Sequence, residues 1–401
     1  MRQALPDASQ LVFVPLIGFR VAGTRVLPER TEVIANGTRL IVLAAAAAPD
    51  RTDLVVEWER TGDPAECPPD SKLLTHSNMA PLENGVSAAL VVGTSRVNAT
   101  SMRRRRMHMS HKYIGAIDTI TFPQIAAAAD RAELRVNEAA DEWRISVDFA
   151  PGGVEATALA TELVRDGVAV RATAVARHEG ELIVEIEVEA PRQIRVVGAP
   201  IPTPARFSST TEEDHRARLV EHRRVFGERS AQIALEYEGG GRYEEVRRLF
   251  SQEPQQAAPG RPYISRFVVA FDAPHADERG ATIVVPFVEL NDREPTTTAD
   301  LRDVPVDLDL GGHRFRIISA EPSGADQRQV VVEVAPSRSR PRFTQPARMH
   351  GIDEKHFAWN PELKPGEPIS LTTAVGDPPI VTFTGAVLRV DGPLRLEIPL
   401  P

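Results

Sequence analysis

The densest chemistry in the chain lies at residues 102–112, which read Met-Arg-Arg-Arg-Arg-Met-His-Met-Ser-His-Lys. Four consecutive guanidiniums, Arg103, Arg104, Arg105 and Arg106, suit an oxyanion or an acidic partner, because each presents a planar fork of donors that matches carboxylate and phosphate. Met107, His108, Met109 and His111 add thioether and imidazole donors of the kind that hold soft copper ions. The stretch has no cysteine and no acid beside those donors, so a metal lacks the groups that would complete and orient its site. Charge runs usually cover a solvated surface or pair with opposite charge. With 56 acidic residues against 47 basic ones and a net charge of −9, a solvated loop or pairing with the chain's own acids is the simpler use of these arginines. The same balance disfavours nucleic acid as a partner, since such binders usually carry a basic surplus.

The second candidate is the pair His215 and His222, flanked by Asp214 and Glu221. On a helix their spacing puts both on one face but about 10 Å apart along the axis, too far to share one metal ion. Zinc-protease helices carry two histidines four apart with a glutamate between. Glu289, Asp292, Asp300, Asp303, Asp307 and Asp309 offer the oxygens that calcium takes, if they converge in a loop; Asp307 and Asp309, however, alternate with Val306, Leu308 and Leu310 as on a strand. Cys67 sits in Glu-Cys-Pro-Pro-Asp, with no histidine partner identifiable by spacing. No Gly-x-Ser-x-Gly elbow, phosphate loop or dinucleotide fingerprint occurs. The sequence therefore names no catalytic residue and implies no cofactor or metal. Trp359, in His-Phe-Ala-Trp-Asn-Pro, is the best single anchor for a partner, whereas Trp58 and Trp143 sit in alternating strands and read as core.

The elements that must position these residues are short strands. Proline and glycine, 33 and 26 residues of 401, punctuate the chain too often for long helices. A pattern recurs three times: Gly18-Phe-Arg-Val, then Arg39 to Leu43; Gly167-Val-Ala-Val-Arg, then Glu181 to Val188; Gly312 to Ile317, then Gln329 to Val334. The opening glycines lie about 145–150 residues apart, a domain-scale repeat. Trp143 to Phe149, Val304 to Leu310 and Leu394 to Leu400 alternate apolar and polar side chains, as strands with one buried face do. Pro305 and Pro399 remove ladder donors, which suits sheet edges. Asn36-Gly37 and Glu179-Gly180 fit tight turns between strands.

These signals predict a mostly β chain of three tandem immunoglobulin-like β-sandwich modules, over residues 11–150, 160–310 and 311–401. A small helical insertion is expected in the second module near 209–250. Thr211 to Phe226 has Ser209 and Thr210 before it and acids in its first turn, Tyr243 to Phe250 spaces Val246, Leu249 and Phe250 on one helical face, and a third short helix is read at Ala126 to Arg131. Pro151-Gly152-Gly153 reads as a linker.

The Gly167 to Arg171 opening, its partner at Leu182 to Val188 and the alternating terminal strands resemble the immunoglobulin-like sandwich modules attached to bacterial anti-sigma-type and envelope proteins. The resemblance implies the fold and carries no functional residue, because the pattern contains no catalytic motif. A Cys–Trp–Cys framework of the antibody type is not present. A single cysteine leaves no intrachain disulfide and favours a reducing compartment, the cytoplasm. No apolar run is long enough to span a bilayer and no signal peptide is legible. The expected role is a non-catalytic scaffold that binds a protein partner through its loops. The alternatives are an assembly subunit that forms homo-oligomers through strand edges, and an enzyme whose site lies between modules and uses the helical insertion.

Overall fold

The computed structural model describes residues 11–35, 37–61, 86–110, 113–125, 129–138, 141–198, 232–237, 239–251, 255–256, 258–272, 278–323, 327–334, 340–350, 368–376 and 378–401. The protein is mostly β, as the alternation predicts, and among the described residues its strands pair antiparallel in four sheets. Cys67, Asp214, His215, Glu221, His222, Trp359 and the proposed helix at Thr211 to Phe226 lie outside the described residues.

Two of the sheets face each other as a sandwich. A seven-stranded sheet includes Thr38–Ala47, Arg51–Thr61, Tyr113–Pro123 and Ser101–Ser110. A four-stranded sheet includes Val86–Val92, Arg131–Glu138 and Asp141–Asp148. Their inner faces share one core, in which Leu40, Leu54, Val56 and Ile120 meet Leu90, Leu134, Val136 and Val147. The rings of Trp58 and Trp143 sit edge to face at its centre, 5.6 Å apart at 79°, the geometry that aromatic quadrupoles favour.

Among the described residues the largest sheet has thirteen strands, drawn from the first hairpin and from Val154 onward. Its path runs from Gly18–Val21 and Leu11–Val14 through Val154–Arg165, Val168–His178, Glu181–Ala190 and Tyr263–Asp272. It continues through Arg242–Ser251 and Ala234–Tyr237 to Gly280–Asp300, Ile380–Pro399 and Arg342–His350. The two longest strands, Gly280–Asp300 and Ile380–Pro399, pair from Gly280↔Pro399 to Asp300↔Ile380. The sheet curls until Val154–Arg165 lies beside Ile380–Pro399, where the Thr161 hydroxyl donates to the Glu397 carbonyl at 3.0 Å. The last sheet, Val306–Leu310, His313–Pro322, Gln327–Val334 and Ile369–Ala374, joins the same core through Phe315, whose ring meets Phe383 at 5.0 Å.

The helix expected at Tyr243 to Phe250 is corrected, while the one expected at Thr211 to Phe226 lies outside the described residues. Among the described residues the helical element is a 3-10 turn at Leu301–Asp303, capped by the Asp300 carboxylate, which accepts from the Arg302 backbone N–H. Tyr243 to Phe250 is part of the strand Arg242–Ser251. Its neighbour Tyr263–Asp272 pairs with it through two bulges, between Glu245 and Arg247 and between Arg248 and Phe250. Each bulge adds a residue and shifts the phase of the pleat, so the period-two spacing is lost and a helix-like spacing of Val246, Leu249 and Phe250 remains. Arg131 likewise opens the strand Arg131–Glu138, and 126–128 lie outside the described residues.

Candidate functional site

The chain's first described strands do not pair with the sandwich that follows them. Leu11–Val14 and Gly18–Val21 form a hairpin with the register Leu11↔Val21 to Val14↔Gly18, and Leu11 to Phe13 pair with Ala156 to Val154 of the large sheet. The sandwich of residues 25–151 is thus entered and left at one neck. There Arg25 and Val26 pair with Pro151 and Ala150, and the two crossings are short, Val21 to Arg25 and Pro151 to Val154.

The glycines read as a linker serve close approach at this neck. A Cβ on Gly152 would lie 2.4 Å from Val26 Cγ2. Gly153 has φ +108°, a conformation that L side chains rarely adopt, and a Cβ there would lie 2.9 Å from Val12 Cβ.

The hairpin is the middle layer of a joint. One of its faces, Phe13 and Phe19, packs on Ala156, Ala174, Ala176, Ile183, Val268 and Ala270 on the outer face of the large sheet. Its other residues, Val14 and Ile17, pack on Ala44, Ala46 and Val55 of the seven-stranded sheet. A bulge between Val42 and Ala44 moves Ala44 and Ala46 to the outer face while Leu40 and Val42 stay in the sandwich core. Small side chains there let the hairpin approach closely. Phe13, Val14, Ile17 and Phe19 are all buried, and burying a side chain of this size is worth about 1.5–3 kcal/mol.

A buried charge network locks the same layers. Arg20 of the hairpin donates to the Asp53 carboxylate at 2.7 Å, and Arg51 donates to the same oxygen at 2.8 Å. The Thr121 hydroxyl donates to the other Asp53 oxygen at 2.8 Å. Burial pushes the Asp53 carboxyl up, but the charges of Arg20 and Arg51 and the Thr121 hydrogen bond outweigh it and hold the carboxyl below its ordinary value. Arg105 donates to the Leu16 carbonyl at 2.7 Å and to the Thr119 hydroxyl. Burial, with repulsion from Arg20, draws the Arg105 guanidinium down to about 10 against the attraction of Asp53, which leaves it charged at neutral pH. Leu16 has φ +66°, a left-handed conformation costing about 1–2 kcal/mol for a residue with a Cβ. The Arg105 hydrogen bond and the surrounding packing hold it there.

The arginine run is therefore part of a strand, Ser101–Ser110, in which Arg104 and Arg105 bond within the chain. Arg104 forms a two-pronged pair with Asp118, at 2.8 and 3.1 Å, and the Asp118 side chain has no exposure. A bulge between Ile117 and Asp118 leaves Arg105 between the paired positions Arg104↔Asp118 and Arg106↔Ile117. Arg105 thereby reaches the hairpin and Arg104 the sandwich interior. Arg103 stands opposite Thr119 and is exposed, and Met107, His108 and Met109 continue the strand opposite Ala116, Gly115 and Ile114. The structure does not gather the acids considered for calcium. Glu289 pairs with Arg389 at 2.6 Å, Asp292 with Arg192 at 3.0 Å, Asp300 with Arg302, and Asp309 accepts from the Gly312 N–H at 2.7 Å. Among the described residues no cluster of three or more metal-ligating side chains occurs.

Beside the joint lies a cleft of about 390 Å³. Its walls come from the hairpin turn (Phe13 to Leu16), the sandwich (Val26, Leu27, Leu43 to Ala45), the neck (Gly153) and the large sheet (Ile183). Arg30, His178 and Glu179 supply its polar groups. The His178 Nε2 atom is 3.8 Å from a Glu179 carboxylate oxygen, and its ring packs on Phe13 at 5.8 Å.

The sequence reading did not identify Arg20, Asp53, Arg30 or His178. A signal was present at Arg20, which interrupts the apolar stretch Phe19-Arg20-Val21, where an unpaired charge would be costly; Asp53 follows the polar residues Asp50-Arg51-Thr52 and gave none.

Comparison with known proteins leaves the family open. No family model matches the chain, and no curated protein matches it. A solved structure, "The crystal structure of the conserved domain protein from Bacillus anthracis", is similar with 9% identity and a TM-score of 0.33, over 68% of this chain and 81% of that one.

Proposed function

We propose that the protein is a non-catalytic scaffold of tandem immunoglobulin-like sandwich modules that binds a protein partner, with the joint setting the angle at which the first sandwich is presented. The observation that carries this reading is the hairpin 11–21, which is buried on both faces between two sheets and fastened to the sandwich by Arg20–Asp53 and Arg105–Leu16. A layer packed so on both sides resists the bending that two peptide crossings alone would allow. The arginines of the joint act on this reading as fasteners. Arg103, Arg106 and Trp359 are the candidate contacts for the partner on this reading.

Cross-linking of the full chain in extract of its native cells, followed by mass spectrometry, tests the reading. A partner is expected to cross-link to the wild type and to lose most of its yield with the joint variant Asp53→Ala. Turnover of a substrate by the purified chain, or equal partner yield from both proteins, would overturn it.

A further inference from the structure

We propose that the curled large sheet carries a built-in opening line, the seam between Val154–Arg165 and Ile380–Pro399, which parts while the ladders around the rest of the curl stay closed. From one of these strands to the other the path has eight members, each hydrogen-bonded to the next. Eight is the number at which side chains just fill a closed barrel, and Leu159, Val170, Val184, Phe267, Ile283 and Leu396 share the core here. The first and last members lie side by side without a ladder between them. Val154–Arg165 pairs with Leu11–Val14 and Val168–His178, and Ile380–Pro399 pairs with Gly280–Asp300 and Arg342–His350.

Side chains bridge the seam instead. The Thr161 hydroxyl donates to the Glu397 carbonyl at 3.0 Å, and the Arg165 guanidinium donates to the carbonyls of Asp391 and Pro393, both at 3.2 Å. The sequence withholds a ladder from both sides. Backbone groups along a strand point alternately to its two neighbours. The Leu400 N–H points to the side of Gly280–Asp300, where it donates to the Arg279 carbonyl at 2.9 Å. Residues 393, 395, 397 and 399 therefore face the seam, and Pro393 and Pro399 have no N–H to give it. Across from them, a bulge between Ala158 and Thr161 breaks the phase of Val154–Arg165. Each seam strand keeps a full ladder on its far side, so the seam can part with both strands intact. Regions with few backbone bonds open at the lowest free energy. Opening bares Leu394 and Leu396, buried in the core, and Leu163, which packs on it. The joint hairpin pairs only as far as Ala156, so it stays outside the part that moves.

The test uses the full chain with Cys67→Ser and one introduced thiol, at the seam (Leu394→Cys) or away from it on Glu181–Ala190 (Val184→Cys). Both side chains are 0% exposed, so N-ethylmaleimide reaches either thiol only when the structure opens. Under native conditions Leu394→Cys is expected to react at least about tenfold faster than Val184→Cys, as local opening outruns opening of the closed ladders. Thr161→Val is expected to speed Leu394→Cys about fivefold, the loss of one ordinary hydrogen bond, and to leave Val184→Cys unchanged. Leu396→Cys serves as the seam position if Leu394→Cys does not fold. Amide hydrogen exchange needs no introduced thiol: Arg165→Met, at an exposed position, is expected to speed exchange in residues 158–165 about fivefold and not in Glu181–Ala190. Equal reaction of the two thiols, a Thr161→Val effect that is absent or equal at both, or exchange unaltered by Arg165→Met would overturn the proposal.

Discussion

The Arg20 guanidinium and the Asp53 carboxylate meet at 2.7 Å with side chains 11% and 5% exposed, one from the N-terminal hairpin and one from the sandwich. Desolvation of both groups consumes much of their attraction, so the pair contributes less to net stability than to fixing where the layers meet. Removing one partner leaves the other charge buried. Asp53→Ala is therefore expected to destabilise the protein by about 3–5 kcal/mol, and the double variant Arg20→Met/Asp53→Leu to recover most of that loss. Urea unfolding followed by tryptophan fluorescence measures both. Equal losses in the single and double variants would contradict this account of the pair.

The same pair gives the joint an acid limit. Asp53 titrates below its ordinary value in the folded protein, so its contribution is fully present above the unfolded pKa of about 3.9. It is lost as pH falls through the lower, folded value. Wild type is expected to lose stability over that acid range more steeply than Asp53→Asn, whose difference from wild type shrinks as pH falls. Parallel unfolding midpoints of the two proteins from pH 6 to pH 2 would contradict the linkage.

Gly152 makes a steric prediction. Its added Cβ would lie 2.4 Å from Val26 Cγ2, and neither residue has a flexible side chain to move aside. Gly152→Ala is expected to cost about 1–3 kcal/mol, as overpacking does, and Val26→Ala in the same chain to relieve part of it. A neutral Gly152→Ala in thermal unfolding would show that the neck is looser than its geometry.

Arg104 and Asp118 repeat the logic inside the sandwich. Burial pushes the Asp118 carboxyl up against the opposing charge and hydrogen bonds of Arg104. Arg104→Ala strands a carboxyl with no exposure and is expected to cost about 3–5 kcal/mol. Adding Asp118→Leu is expected to restore much of it, measured by urea unfolding.

Sequence patterns were most legible where one face of a strand meets a core. Trp58, Trp143 and the Trp143 to Phe149 alternation fall where period two puts them, and Glu179-Gly180 makes the tight turn between Val168–His178 and Glu181–Ala190. Bulges hid the strand at Tyr243 to Phe250 by breaking its phase. The joint was hidden for a different reason. Arg20, Asp53 and Arg105 are far apart in sequence, and the hairpin pairs beyond the sandwich to reach Ala156, a long-range choice that local periodicity does not encode. Residues such as Val268 and Ala270, which are apolar on the outer face between inward Phe267 and Phe271, were the available clue: a continuous apolar run marks a strand covered on both sides.

The central claim is that the hairpin holds the sandwich at one angle. Double electron–electron resonance between spin labels at Ser95→Cys and Ala160→Cys, both exposed positions, tests it in a chain whose single cysteine, Cys67, is replaced by serine. One narrow distance is expected in this background, and a broad distribution after Asp53→Ala with Arg105→Ala under conditions where both units remain folded by circular dichroism. A broad distribution in the background chain, or an unchanged narrow one in the variant, would contradict the account.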